Sequence, residues 1–180
     1  MKITDIQHLH TTDWLILKQA SCINKEGKKF SWDYISRKDN QNIVILLCYS
    51  TNSKKILLLK EFRTPINKWV IEFPKGIINI NETIENAALR ELKEETGYTG
   101  KLIKVSPLLT TCAYLTNEKA AIVEIEVDVS TLSATNHEKA EEIAPFWIYK
   151  ENFEKEMEKV QKNNCIIESN VWFFFNTLKI

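Results

Sequence analysis

Punctuation is scarce in this chain. Of 180 residues four are glycine and four proline, and no proline-rich or Gly/Ser-rich stretch divides it. A linker between two independent domains is therefore not expected, nor is a fibrous or low-complexity segment. Cysteine is equally thin: Cys22, Cys48, Cys112 and Cys165 lie far apart with no Cys-x-x-Cys pair, which argues against a disulfide framework and against a zinc site. Net charge is lacking too. With 24 Lys+Arg against 24 Asp+Glu, no whole-molecule field draws the chain to nucleic acid or to an anionic membrane. No apolar run approaches the roughly 20 residues that span a bilayer. Residues 1–14 carry Asp5, His8 and His10 where a signal peptide needs an apolar stretch, so a cytoplasmic protein is expected. What is there, 44% hydrophobic and 27% charged residues, has the balance of one soluble globular domain. Such a chain buries about 70% of its unfolded surface and needs no metal to fold, so any metal serves chemistry.

Apolar and polar residues alternate over 13–18 and 29–34 around an Asn-Lys-Glu-Gly turn at 24–27, which signals a hairpin. Strand-like runs follow at 42–49, 55–62 and 69–73, the last closed by Pro74. One helix is well marked, 84–96, opened by Thr83 as its cap and ended by Gly97. Further strand patterns cover 100–109, 120–129 and 144–149, and helical patterns close the chain at 150–162 and 168–178. Strands on either side of one central helix, with helices appended, predict an α+β (mixed α/β) sandwich. The apolar cluster 171–175 is expected to be buried against the core or a second subunit.

On that central helix Glu91, Glu94 and Glu95 stand three and four residues apart, so their carboxylates share one arc of about 100°. Arg90 neutralises only part of that charge. A divalent cation resolves the repulsion, and hard oxygen donors on a rigid helix face suit Mg²⁺ or Mn²⁺, which leave coordination positions for water and phosphate oxygens. Ala87, one turn earlier, is expected to leave room for a bulky ligand.

The longer pattern G-x5-E-x7-R-E-U-x-E-E-x-G-U, with U a bulky apolar residue, is filled by Gly76, Glu82, Arg90, Glu91, Leu92, Glu94, Glu95, Gly97 and Tyr98. Seven fixed identities coincide by chance with odds on the order of one in 10⁸ or less. This segment resembles the Nudix box, and the chain resembles the Nudix hydrolases, which cleave nucleoside diphosphates linked to another group. The resemblance implies an α/β/α sandwich, with the box as loop, helix and loop. It implies metal ligation by Glu91, Glu94, Glu95 and the backbone carbonyl of Lys75, with Glu94 and Glu95 in the catalytic set. Gly76, Glu82, Arg90 and Gly97 would be structural, Arg90 and Glu82 bracing the loop against the helix.

The flanks narrow the likeness. Glu61-Phe62-Arg63-Thr64-Pro65 and Glu72-Phe73-Pro74-Lys75-Gly76 are similar to motifs of the ADP-ribose and sugar-nucleotide pyrophosphatases, and Trp32-Asp33-Tyr34-Ile35-Ser36-Arg37 resembles a third motif of that group. The likeness implies that Trp32 stacks on the base and that Arg37 and Arg63 approach the phosphates, Arg37 across a homodimer interface. Only three of the 24 basic residues are arginine, Arg37, Arg63 and Arg90, each on a motif position where planar, bidentate contact is useful. Residues 1–40 would be a dimer-forming β-hairpin extension and 41–180 the Nudix domain. Two departures stand out. Lys75 replaces the usual alanine, a Pro-Lys-Gly also seen in enzymes acting on dinucleoside polyphosphates, and the loop 110–118 lacks the usual Pro-Gly while keeping Glu118 as a candidate substrate contact. The resemblance also implies a general base on an acidic loop before the last main strand, for which Glu142 or Glu141 is the positional candidate. The implied reaction is hydrolysis of ADP-ribose to AMP and ribose 5-phosphate. Alternatives are another nucleoside diphosphate sugar, a dinucleoside polyphosphate, or a Nudix module that binds nucleotide without cleaving it.

Overall fold

The computed structural model describes residues 1–51, 55–136, 142–162 and 164–176. Strands β1 (Lys2–Thr11), β2 (Leu15–Ile23) and β3 (Lys29–Arg37) form an antiparallel sheet of their own. The expected hairpin is β2–β3, turned at Gly27, whose φ of 82° suits a residue without Cβ. The first strand was not legible because its apolar residues, Ile3, Ile6 and Leu9, recur every third position. Two register shifts, between Ile3 and Asp5 and between His8 and His10, absorb that mismatch with the two-residue period of a strand.

A second sheet holds β4 (Ile43–Ser50), β5 (Lys55–Arg63), β6 (Lys68–Glu72), β7 (Lys75–Ile77), β8 (Thr99–Val105), β9 (Leu109–Thr110), β10 (Lys119–Asp128), β11 (Ile143–Tyr149) and β12 (Cys165–Ile167). Its main path runs β12-β6-β5-β4-β10-β8, with β11 on β5, β7 on β4 and β9 on β10. The pairs β4–β10 and β6–β12 are parallel. The run expected over 100–109 is broken: Pro107 has no N–H to give, and β8 stops at Val105 before β9 resumes. The three residues of β12 are too short to carry a pattern, and read instead as a gap between helices.

Alternation along the strands sends two apolar sets to opposite faces. Val44, Leu46, Cys48, Leu57, Val123, Ile125 and Val127 meet Ala87, Ala88 and Leu92 of helix α1 (Ile84–Thr96). Ile43, Ile45, Ile56, Leu58, Ile71 and Phe73 meet Phe153 and Met157 of α2 (Phe153–Lys162) and Val171 and Phe175 of α3 (Ser169–Asn176). This is the α/β/α sandwich expected from the sequence. Ala87 is completely buried against the strands, so its smallness lets helix and sheet approach and leaves no room for a ligand. The 171–175 cluster divides: Val171 and Phe175 are core, whereas Trp172 and Phe173 are exposed. Among the described residues no helix is long and apolar enough to cross a membrane.

Candidate active site

Helix α1 is fixed at both ends. Asn86 donates its backbone N–H to the Thr83 hydroxyl at 3.2 Å, and Gly97, at φ 74°, donates to the Lys93 carbonyl at 2.9 Å. With Ala87, Ala88 and Leu92 turned into the core, Arg90, Glu91 and Glu94 stand at its margin, and Glu91 faces Gly76 of β7 rather than a loop. Glu95 faces further in and is 5% exposed. Its Oε2 accepts the Lys75 backbone N–H at 3.1 Å, which joins the helix to β7.

Arg90 organises this corner. Its Nε donates to Glu82 Oε1 at 2.9 Å, Nη2 to Glu82 Oε2 at 2.8 Å and to the Ile77 carbonyl at 2.8 Å, and Nη1 to Glu91 Oε1 at 2.7 Å and Glu94 Oε2 at 3.0 Å. The hydrogen bonds to Glu82 come first among the causes that raise its pKa above that of an ordinary arginine, opposed by partial burial. Arg90 and Glu82 are thus joined by two hydrogen bonds, and two further carboxylates share the guanidinium.

Do these residues fit a divalent cation? The donors are all hard oxygens. A Cβ at Gly76 would lie inside van der Waals contact of the Glu91 carboxylate, so glycine is what allows that carboxylate to meet β7. Among the described residues no group of three acidic, histidine or cysteine side chains is already arranged around a metal position. Mg²⁺ and Mn²⁺ prefer such hard oxygen donors and keep further positions for water and phosphate oxygens. The set fits.

A cleft of about 1180 Å³ opens over this corner. Arg37, Arg63, Lys75, Gly76, Arg90, Glu91, Glu94, Glu95 and Glu118 all line it, so most of the candidate residues converge. Its apolar floor is the margin of one buried sheet face, Ile43, Ile45 and the partly buried Leu47. Arg37 pairs with Glu118 and reaches the cleft of its own chain. Arg63 pairs with Glu72 and, at 2.7 Å, with Glu61. Burial would lower the Arg63 pKa, but its hydrogen bonds to Glu72 and the charges of Glu72, Glu61 and Glu95 outweigh it and raise it. Lys75 is also engaged, its Nζ 2.6 Å from Glu168 Oε1 and 3.0 Å from Glu72 Oε2. Burial pushes Glu72 up, yet Lys75, Glu61 and Arg63 hold it below the usual carboxylate range.

Two candidates stand elsewhere. Trp32 is 51% exposed, donates Nε1–H to the Tyr114 carbonyl at 3.0 Å, and is not among the residues lining the cleft of its own chain. Glu142 is exposed at the head of β11 and does not line it either, although its carbonyl accepts the Phe62 N–H at 3.2 Å, next to Arg63. Glu141 lies outside the described residues. The sequence reading missed Trp14, 69% exposed, and the segment of Glu168, Asn170 and Phe173, all of which line the cleft. Trp14 stands near the head of the first strand-like run, directly before Leu15-Ile16-Leu17, where it reads as one more apolar strand residue. Nothing local marks Glu168, because its partner Lys75 lies far along the chain.

A family model described as NUDIX domain matches residues 40–165. An ADP-ribose pyrophosphatase of Saccharomyces cerevisiae is 34% identical over 185 residues, covering 94% of this chain and 80% of its own. An ADP-sugar pyrophosphatase of Mus musculus is 29% identical over 133 residues, covering 70% of this chain and 61% of its own. A solved structure described as an ADP compounds hydrolase superposes with a TM-score of 0.69 at 17% identity, over 86% of this chain and 82% of that one, a likeness of fold.

Proposed function

The chain belongs to the Nudix family of pyrophosphohydrolases, and from that premise we propose that its substrate is ADP-ribose, hydrolysed to AMP and ribose 5-phosphate with Mg²⁺ or Mn²⁺. The observation that carries the reading is the meeting of the acidic face of α1 with β7 at Gly76 inside a cleft large enough for a dinucleotide-sized ligand. Glu91, Glu94, Glu95 and the Lys75 carbonyl would hold the cation. When bound, it supplies a water of lowered pKa and neutralises charge on the pyrophosphate. Arg90 balances Glu91 and Glu94 and holds the loop by way of Glu82 and the Ile77 carbonyl. Arg63, held in place by Glu61 and Glu72, orients the phosphates, with Arg37 beside Glu118 as a second contact. Glu142, or Glu141 next to it, takes the proton from the attacking water. That assignment rests on the place of Glu142 ahead of β11, where its backbone bonds Phe62, since its side chain does not line the cleft of its own chain.

Residues 1–40 would form the extension that makes a homodimer. Every residue of β1 is exposed, Ile3, Ile6 and Leu9 among them, and an uncovered apolar edge strand of that length is a pairing surface. In such a dimer Trp32 stacks on the base together with Trp14. Cys22, Cys48, Cys112 and Cys165 form no disulfide among the described residues, in keeping with a reducing, cytoplasmic setting. The Lys75 ammonium already serves Glu72 and Glu168, which removes the reason to expect it on a longer polyphosphate chain.

The test is a panel of ADP-ribose, other nucleoside diphosphate sugars and dinucleoside polyphosphates with Mg²⁺ or Mn²⁺, products identified by chromatography. ADP-ribose should give the highest kcat/KM and equal amounts of AMP and ribose 5-phosphate. Preference for a dinucleoside polyphosphate, or no monophosphate from any compound, would overturn the assignment.

A further inference from the structure

We propose that α3 walls a sugar subsite of the cleft, Phe173 and Asn170 reading the group joined to the nucleotide through the pyrophosphate, and that Lys75 positions this wall through Glu168. The inference rests on the pyrophosphatase reading and names the half of the substrate that this wall selects.

Strand order places the wall. Along Ile43–Ser50 one edge of β4 is taken by β10, so β7, paired with Ile43–Ile45, holds the other edge. Glu118, with Arg37 bound to it, precedes β10 on the first side. Lys75 is on β7, and β12, which leads into α3, pairs with β6 on the same side of β4 as β7. A pyrophosphate at Glu91, Glu94 and Glu95 therefore has Trp14 and Arg37 toward one end of the cleft and Asn170 and Phe173 toward the other. A broad indole with a guanidinium suits a base. An exposed ring, Phe173 at 63%, beside the amide of Asn170 and the hydroxyl of Ser169, suits a sugar, whose C–H face rests on the ring while its hydroxyls bond the polar groups.

One residue connects this wall to the metal corner. The Lys75 N–H holds Glu95 at 3.1 Å, and its Nζ holds Glu168 at 2.6 Å, where the Glu168 N–H bonds the Ile71 carbonyl at 2.9 Å and its carbonyl accepts the Trp172 N–H at 3.1 Å. Alanine at position 75 would keep the first contact and lose the second. Lys75 is in this sense a positioning residue for α3.

The experiment measures kcat and KM for two series of compounds. One keeps ADP and varies the attached sugar, and the other keeps the ribose diphosphate and varies the base. Phe173→Ala and Asn170→Ala should raise KM for ADP-ribose about tenfold with a smaller change in kcat, and reorder the sugar series while leaving the base series in order. Phe173→Leu checks that any loss reflects the ring. Lys75→Ala should reorder the sugar series in the same sense, and Lys75→Arg should restore the original order. Unchanged order in the sugar series, or reordering of the base series instead, overturns the inference alone. A wild-type protein inactive on every compound overturns the pyrophosphatase reading and this inference with it.

Discussion

Arg90 donates to three carboxylates and one carbonyl from a single planar group, a pattern an ammonium cannot reproduce. Arg90→Lys should therefore lower both the thermal midpoint and kcat, the latter by at least about tenfold, and a lysine variant with wild-type kcat would contradict the shared brace. The same bonds give a pH signature. Hydrogen bonds from Arg90, more than offsetting a small burial cost, hold Glu82 below its ordinary 4.5. A carboxyl whose folded pKa is depressed adds stability that is complete above about 4.5 and lost as pH falls through the lower folded value. Urea denaturation between pH 7 and 3 should show a shallower acid loss for Glu82→Gln than for wild type. Equal slopes would remove Glu82 from the account.

Helix α1 is the element that presents the site, and its caps should be felt in stability before activity. Thr83→Ala removes the bond from Asn86 and should cost about 1 kcal/mol, a few degrees of Tm, with kcat nearly unchanged. Gly97→Ala forces a Cβ onto a left-handed residue and into the Ser133 carbonyl, so its loss should be larger; a neutral result at both positions would mean the helix ends do not hold the site. This helix was legible in the sequence from cap to cap because its signals are local: a threonine, a 3.6-residue apolar spacing and a glycine. Strand β1 was not, since two register shifts scramble its alternation, and β12 is shorter than any window that could reveal it. Ala87 was misread because an alanine looks alike from the sequence whether it faces a ligand or a sheet.

At the scale of the whole molecule the box residues, adjacent in sequence, were readable together, whereas contacts made by the fold were not. Glu168 reaches Lys75, Glu118 reaches Arg37, and Trp14 lines the cleft only once β2 and β3 turn back on the loop before β10. Assembly belongs to this scale too. Ile6→Asp with Leu9→Asp, on the uncovered strand, should convert a dimer to a monomer in light scattering and weaken substrate binding; a wild-type monomer would remove the role given to the extension. The account as a whole turns on Glu95, a buried carboxylate bonded to the Lys75 backbone. The direct measurement is AMP release from ADP-ribose in Mg²⁺ by wild type and by Glu95→Gln, with circular dichroism to verify the fold. A folded variant slowed at least about a thousandfold is the expected result, and one that turns over at the wild-type rate would contradict it.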